Sequence, residues 1–227
     1  MADTVYETTI ANYGTVIGAL SENTPDTPYT VRITDIENLT NSNLRNAINN
    51  AGRYVNIKWT EGSVWTGVIA SDMFYDCASL TSIDTSPFTN VTSANYMFGN
   101  CTGLTSIDTS PFTNVTNASN MFSNCTGLTE IDISPFIRVT NVKNMFKDCT
   151  ALVGIKYNEN TESDSMTSYI NSLEGITKTV NPDPKLGVRT NTLPSVLEAL
   201  KPNTKTTPYH IHIYDPGNIT AGLKLNV

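Results

Sequence analysis

The chain has 227 residues, of which 39% are hydrophobic and 15% charged, and carries a formal net charge of −7. That length fits one repeat domain with its caps, or at most two small units. The acidic balance excludes general nucleic-acid binding, which needs a basic stripe, and no apolar run of about 18 residues reads as a membrane span.

Met1-Ala2-Asp3 lacks the basic and apolar regions of a signal peptide. Two readings are open: a cytoplasmic protein, or an exported one whose signal is absent from this chain. Residues 8–20 predict a short helix with Ile10, Tyr13, Val16, Ile17 and Leu20 on one side, weakened by Gly14 and Gly18. Asn23 to Pro28 reads as a polar turn, and Tyr29 to Ile33 alternates as a strand does. Asn41 or Ser42 is placed to cap a second helix with Leu44, Ala47, Ile48 and Ala51 on its apolar side, and Gly52 stops it. Tyr54 to Trp59 is the next predicted strand. Ile33, Ile57 and Ile83 succeed one another at intervals of 24 and 26, so these helix–strand units read as divergent copies of one coil. Glu61 to Asp72 bridges to the regular repeats, with Trp65, Val68 and Ile69 available for the core.

From Met73 to Ile155 a 24-residue phrase occurs four times, the last with its ending changed. Met73-Phe74-Tyr75-Asp76-Cys77 returns at Met97, Met121 and Met145, each copy continuing with a leucine (Leu80, Leu104, Leu128, Leu152) and an isoleucine (Ile83, Ile107, Ile131, Ile155). Ser-Pro-Phe ends at Phe88, Phe112 and Phe136, with Val91, Val115 and Val139 three residues on. A fixed period with apolar residues at fixed phases is the signature of stacked repeats. Leu104, Ile107 and Thr109 fit an inward-pointing Leu-x-x-Leu-x-Leu cadence on a short parallel strand. Phe112, Val115, Ala118, Met121, Phe122 and Cys125 bury the return path, which one coil cannot cover alone. Thr92, Thr116 and Thr140 share a turn phase suited to threonine–backbone hydrogen bonds, and Asn90, Asn114, Asn117 and Asn141 mark further turns.

Beyond Ile155, a helix over residues 162–173 would bury Met166, Tyr169, Ile170 and Leu173. Asn181-Pro182-Asp183-Pro184 fits neither helix nor central strand. A further helix is expected over residues 193–200, then a strand Tyr209 to Ile213, a turn at Asp215 to Asn218 and a closing strand from Leu223 to Val227. Residues 196–209 echo residues 16–29 at an offset of 180, so both ends share one helix–turn–strand module.

Cys77, Cys101, Cys125 and Cys149 lie 24 apart, not at the short intervals of a zinc site. Stacked coils would align them in one column about 5 Å apart. Four buried thiols acting as small hydrophobes is the simplest account; adjacent disulfides and a metal column are the alternatives.

The pattern Asp-x-Ser-Pro-Phe-x-x-Val-Thr-x-x-x-x-Met-Phe-x-x-Cys-x-x-Leu resembles the BspA-like leucine-rich repeat of bacterial surface proteins, in the variant also found in Mycoplasma-type lipoproteins. The resemblance covers residues 73–155 closely and reaches back loosely to about residue 30. It implies an α/β leucine-rich-repeat solenoid with a short parallel β-sheet on one face, irregular or short helical return segments, and helix–strand units towards both ends. Three regions are expected: N-terminal units and cap (1–72), regular repeats (73–157), and a C-terminal cap continuous with them (158–227). The resemblance also implies a secreted or cell-surface bacterial protein of adhesive type. Its partner would be a host extracellular matrix protein, a bacterial surface protein or a glycan, and the family brings no catalytic motif or cofactor.

In that cadence, the residues between inward positions face outward: Lys58, Ser82, Asp84, Ser106, Asp108, Glu130, Asp132 and Lys156. One column reads Lys58, Asp84, Asp108, Asp132, Lys156, and adjacent like charges on a sheet need compensation. Asx turns, such as Asp108 with Ser110, offer one form. A weak cation site or a track for a basic partner offers another, although calcium wants six or more oxygens. His210 and His212 share a strand face without a visible third metal ligand. Trp59 and Trp65 serve either packing or a binding surface. No phosphate loop, His-Glu-x-x-His or Gly-x-Ser-x-Gly motif is present. The expected function is recognition without catalysis, with a structural spacer as the alternative.

Overall fold

The computed structural model describes residues 4–158 and 164–180. The elements run β1 (Val5–Thr8), α1 (Tyr13–Gly18), β2 (Tyr29–Ile33), a 3₁₀ turn (Ile36–Asn38), α2 (Asn43–Ala51), β3 (Val55–Trp59), β4 (Leu80–Ile83), β5 (Glu130–Asp132), β6 (Gly154–Tyr157), α3 (Asp164–Ser172) and β7 (Thr177–Val180). Two sheets form, ordered β1-β2-β3-β4 and β5-β6-β7, and every strand pair within them is parallel. The expected helix over residues 193–200, the strands after it and both histidines lie outside the described residues.

The N-terminal units are built as their patterns require. α2 buries Leu44, Ile48 and Ala51 and ends at Gly52, whose φ of 58° is the left-handed conformation that a residue without Cβ adopts at low cost. Its start is held by a reciprocal pair: Asn43 Oδ1 accepts from the Thr40 amide at 3.1 Å, and the Asn43 amide donates to Thr40 Oγ1 at 3.3 Å. α1 is shorter than the 8–20 span expected; it buries Tyr13 and Ile17, while Val16 and Leu20 are only partly covered. β1 and β7, not expected from the sequence, each add one parallel strand.

The repeats stack through the backbone. The amides of Phe74, Phe98 and Phe122 donate to the carbonyls of Met97, Met121 and Met145 at 2.9, 2.9 and 3.0 Å. Their rings form a continuous stack: Phe74–Phe98, Phe98–Phe122 and Phe122–Phe146 have centroids 5.5, 5.7 and 5.8 Å apart and lie within 7° of parallel. Tyr169 of α3 extends it, its ring 6.4 Å from Phe146 and its hydroxyl accepting the Phe146 amide at 2.9 Å. The helix therefore occupies the place of a next coil and satisfies the donor that coil would have met. At the outer turns, the Thr92, Thr116 and Thr140 hydroxyls donate to the carbonyls of Val68, Thr92 and Thr116 at 3.1, 3.1 and 3.2 Å.

The four cysteines are free. Cys101, Cys125 and Cys149 donate to the carbonyls of Phe74, Phe98 and Phe122 at 3.1, 3.0 and 2.9 Å. Burial pushes the Cys77 thiol up to about 12 and Cys149 up to about 11, and holds Cys101 and Cys125 well above the usual thiol range. Cys149 is only partly buried, because α3 covers the last regular coil less fully than another coil would.

Two expectations are corrected. Val68 and Ile69 are 49% and 57% exposed, not core. They occupy the phase of Thr92-Ser93 and Thr116-Asn117, where the backbone bridges to the next coil (Ile69 to Ser93, Ser93 to Asn117) and side chains point away. The strand expected at Leu104 to Ile107 is also absent: no ladder joins β4 or β5 to residues 104–108. Leu104 and Thr109 are buried as expected, but Ile107 is only partly covered. Here threonine hydroxyls replace ladder bonds, Thr85 Oγ1 donating to the Asp108 carbonyl at 2.7 Å and Thr109 Oγ1 to the Asp132 carbonyl.

Candidate functional site

Register places the outward residues in two columns. Val5, Thr30, Asn56 and Ser82 are neighbours across the first sheet, Thr30 being covered, and Glu7, Arg32 and Lys58 form the second column beside them. In the second sheet the matching columns are Glu130, Gly154, Thr177 and Asp132, Lys156, Thr179. Period-2 alternation produces this: the residues between the outward ones, Ile57, Ile83, Ile131 and Ile155, are buried.

Each aspartate closes its own turn. The amides of Ser86, Ser110 and Ser134 donate to Asp84 Oδ1, Asp108 Oδ1 and Asp132 Oδ1, all at 2.9 Å. Ser110 Oγ donates to Asp108 Oδ2 at 3.0 Å. Lys156 Nζ sits 2.8 Å from Asp132 Oδ2, and Arg32 pairs with Glu7 at 2.6 Å near the other end. Each aspartate is thus engaged within its own turn, and Asp132 is paired with Lys156 as well. For Asp132, partial burial alone would raise the carboxyl pKa; the hydrogen bonds from Lys156 and Ser134 and the nearby ammonium charge outweigh it and hold the pKa below the usual value.

Ser106, Glu130, Asp132 and Lys156 line one open groove of about 590 Å³. Lys58 and Ser82 belong to the first sheet, Asp84 directly follows β4, and Asp108 lies on the unladdered segment between the two sheets. Among the groove residues that sequence reasoning did not place there are Ile107, Val153, Thr177 and Thr179. Val153 is 55% exposed and stands where earlier copies carry Thr81, Thr105 and Thr129, a substitution that could have flagged it. Gly154 leaves room for Glu130 to lie across the face, since a Cβ there would meet Glu130 Cγ at 3.2 Å.

Trp59 and Trp65 are packing residues. Both rings meet Phe88 edge-on, at 5.9 and 5.7 Å, and their indole N–H groups donate to the carbonyls of Asp84 and Leu39. Among the described residues, no group of three or more His, Cys, Asp or Glu side chains is placed to hold a metal ion, and no helix is long and apolar enough to cross a membrane.

The family model for the BspA type leucine rich repeat region matches residues 67–181, in six copies. The chain belongs to this family. The BspA-type match begins before Met73 and runs past Tyr157, so it takes in α3 and β7 as well as the regular phrase. No curated protein matches the chain, and no solved structure does. BspA-type repeats are generally non-catalytic binding or structural modules, often found in surface proteins. The outward columns are in keeping with that role: they offer an ion pair, hydroxyls and apolar contacts along one face, a surface for noncovalent association.

Proposed function

We propose that this chain is a recognition module of a secreted or cell-surface bacterial protein, and that a protein partner lies across the outward face of its strands. In this reading residues 1–72 and 158–227 cap a leucine-rich solenoid whose regular repeats are residues 73–157. The binding set is Lys58, Ser82, Asp84, Ser106, Asp108, Glu130, Asp132 and Lys156, and adhesion to host matrix or to another bacterial surface is the biological setting.

One observation carries the proposal. The groove over β5, β6 and β7 combines the Asp132–Lys156 pair and Glu130 with the exposed Val153 and the half-covered Ile107. Apolar contacts ringed by charge are the composition of a protein-recognition patch. The test is binding of the purified chain to immobilised matrix and bacterial-surface proteins, compared with a Val153→Thr/Lys156→Glu variant. Saturable binding weakened by about tenfold or more in the variant supports the reading; unchanged binding removes the groove from it.

A spacer that displays another domain is the second reading. It is favoured by the Asx turns, which engage Asp84, Asp108 and Asp132 within their own coils. A spacer would show no saturable binding to any of these surfaces.

A further inference from the structure

A second cleft lies away from the sheet face, at the turn after each outer bridge. It measures about 360 Å³ and draws on three successive coils, with Tyr96, Asn120 and Asn144 in one column and Asn100, Asn124 and Asp148 in the other. All six have left-handed backbone, with φ between 53° and 61°. Asparagine and aspartate tolerate that region because a short polar side chain bonds locally, whereas a bulky side chain is strained there. Of the eight non-glycine residues with positive φ among the described residues, seven are Asn or Asp; Tyr96 is the exception. A strained residue that its surroundings hold in place points to a function.

The surroundings of Tyr96 are specific. Its ring meets Tyr75 edge-on, at 5.7 Å. Between them runs the backbone of Gly99, where a Cβ would approach the Tyr75 ring to 3.0 Å and the Tyr96 ring to 3.1 Å. Other copies carry Tyr75, Ser123 and Lys147 at that phase. The second coil therefore departs from the repeat twice, and the two departures together seat the Tyr96 ring in the cleft wall with Tyr75 against it.

Carboxamides line the rest. Asn100 donates to Tyr75 Oη at 3.1 Å and accepts from Asn124 Nδ2 at 3.0 Å. The Asn120 and Asn144 side chains make no hydrogen bond among the described residues, and neither does Asn124 Oδ1. Each free amide offers two donors and an acceptor, the set that adjacent hydroxyls of a sugar ring satisfy. The tyrosine ring provides an apolar body with a polar tip. Lys147 and Asp148 stand 4.0 Å apart at the rim, so their charges offset one another.

We propose that this cleft is a binding subsite for a neutral oligosaccharide, with Tyr96 packing against a sugar face and Asn120, Asn124 and Asn144 bonding its hydroxyls. Three coils span two intervals of about 4.8 Å each, a length for a di- or trisaccharide. The site is separate from the sheet-face groove and does not depend on it.

The test uses the full chain with maltotriose, cellotriose, mannotriose and triacetylchitotriose. Binding is followed by the NMR resonances of the asparagine side-chain amides. At least one sugar is expected to shift Asn120 and Asn144 at roughly millimolar concentration or below. Tyr96→Asn restores the residue of its column and relieves backbone strain, so it folds; it should weaken binding by about tenfold or more. Asn144→Ala should weaken it by about threefold or more, and Asp84→Asn/Asp108→Asn/Asp132→Asn on the sheet face should leave it unchanged. The proposal is overturned if none of the four sugars moves these resonances at roughly 10 mM, or if Tyr96→Asn binds as tightly as the parent.

Discussion

Lys156 Nζ and Asp132 Oδ2 meet at 2.8 Å on neighbouring strands of the outward face, where each residue is nearly half exposed. Together with the Ser134 hydrogen bonds, the pair outweighs partial burial and holds the Asp132 carboxyl pKa below its usual value.

That depression has a sign that can be checked. A carboxylate whose folded pKa lies below its unfolded value contributes stability that is present above about pH 3.9 and lost as pH falls through the folded pKa. Lys156→Ala should raise the Asp132 pKa, read from the side-chain carboxyl resonance in an NMR titration. The stability lost at neutral pH should be small, about 0–1 kcal/mol, and should shrink with added salt, because both partners are solvent-screened.

The thiol column predicts alkaline sensitivity. The folded thiol pKa values lie above the unfolded value of about 8.5, with Cys149 near 11 and Cys77 near 12. Their contribution to stability is therefore complete below about pH 8.5 and is lost as pH rises through the folded values. Iodoacetamide labelling of the native protein, read by mass spectrometry, should modify Cys149 first. Cys77, Cys101 and Cys125 should label at the rate of unfolding.

The phenylalanine stack should carry the repeat core. Phe98 is fully buried and touches Phe74, Phe112 and Phe122. Phe98→Ala should cost about 3–5 kcal/mol, read as a lower denaturant midpoint.

Gly103 tests how closely successive coils approach. A Cβ there would stand 2.6 Å from the Ala78 carbonyl oxygen, and Gly127 faces Thr102 at the same distance. Backbone cannot retreat as a flexible side chain can, so Gly103→Ala should destabilise by about 1–3 kcal/mol in thermal or chemical unfolding.

Much of this was legible in the sequence, because position in the repeat fixes which way a side chain faces. The buried set from Phe112 to Cys125, the threonine bonds at the outer turns and the Asp108–Ser110 turn all stem from a side chain's phase. Reading apolarity without phase misplaced Val68 and Ile69, whose slot belongs to exposed threonine, serine and asparagine. The gap at residues 104–108 was not legible, since Leu104, Ile107 and Thr109 carry the same cadence as copies that do pair. β1 was hidden because Val-Tyr-Glu-Thr is too short to show a pattern, and β7 because Thr-Lys-Thr-Val turns Lys178, whose ammonium reaches the Asn171 carbonyl, into line with Ile155. The outward column was legible. Its groove was not, because β7 supplies one side of it.

The measurement that bears most directly on the central claim is binding of the full chain to matrix and bacterial-surface proteins, beside the triple variant Asp84→Asn/Asp108→Asn/Asp132→Asn. Asparagine keeps the Oδ1 acceptor that each Asx turn uses; with the charge it removes only the exposed Oδ2 contacts to Ser110 and Lys156, about 0–1 kcal/mol each, so the variant should unfold close to the parent's temperature. Recognition across the strand face predicts saturable binding by the parent, weakened by about tenfold or more in the variant. Equal binding by the two proteins, or none by either, would contradict it.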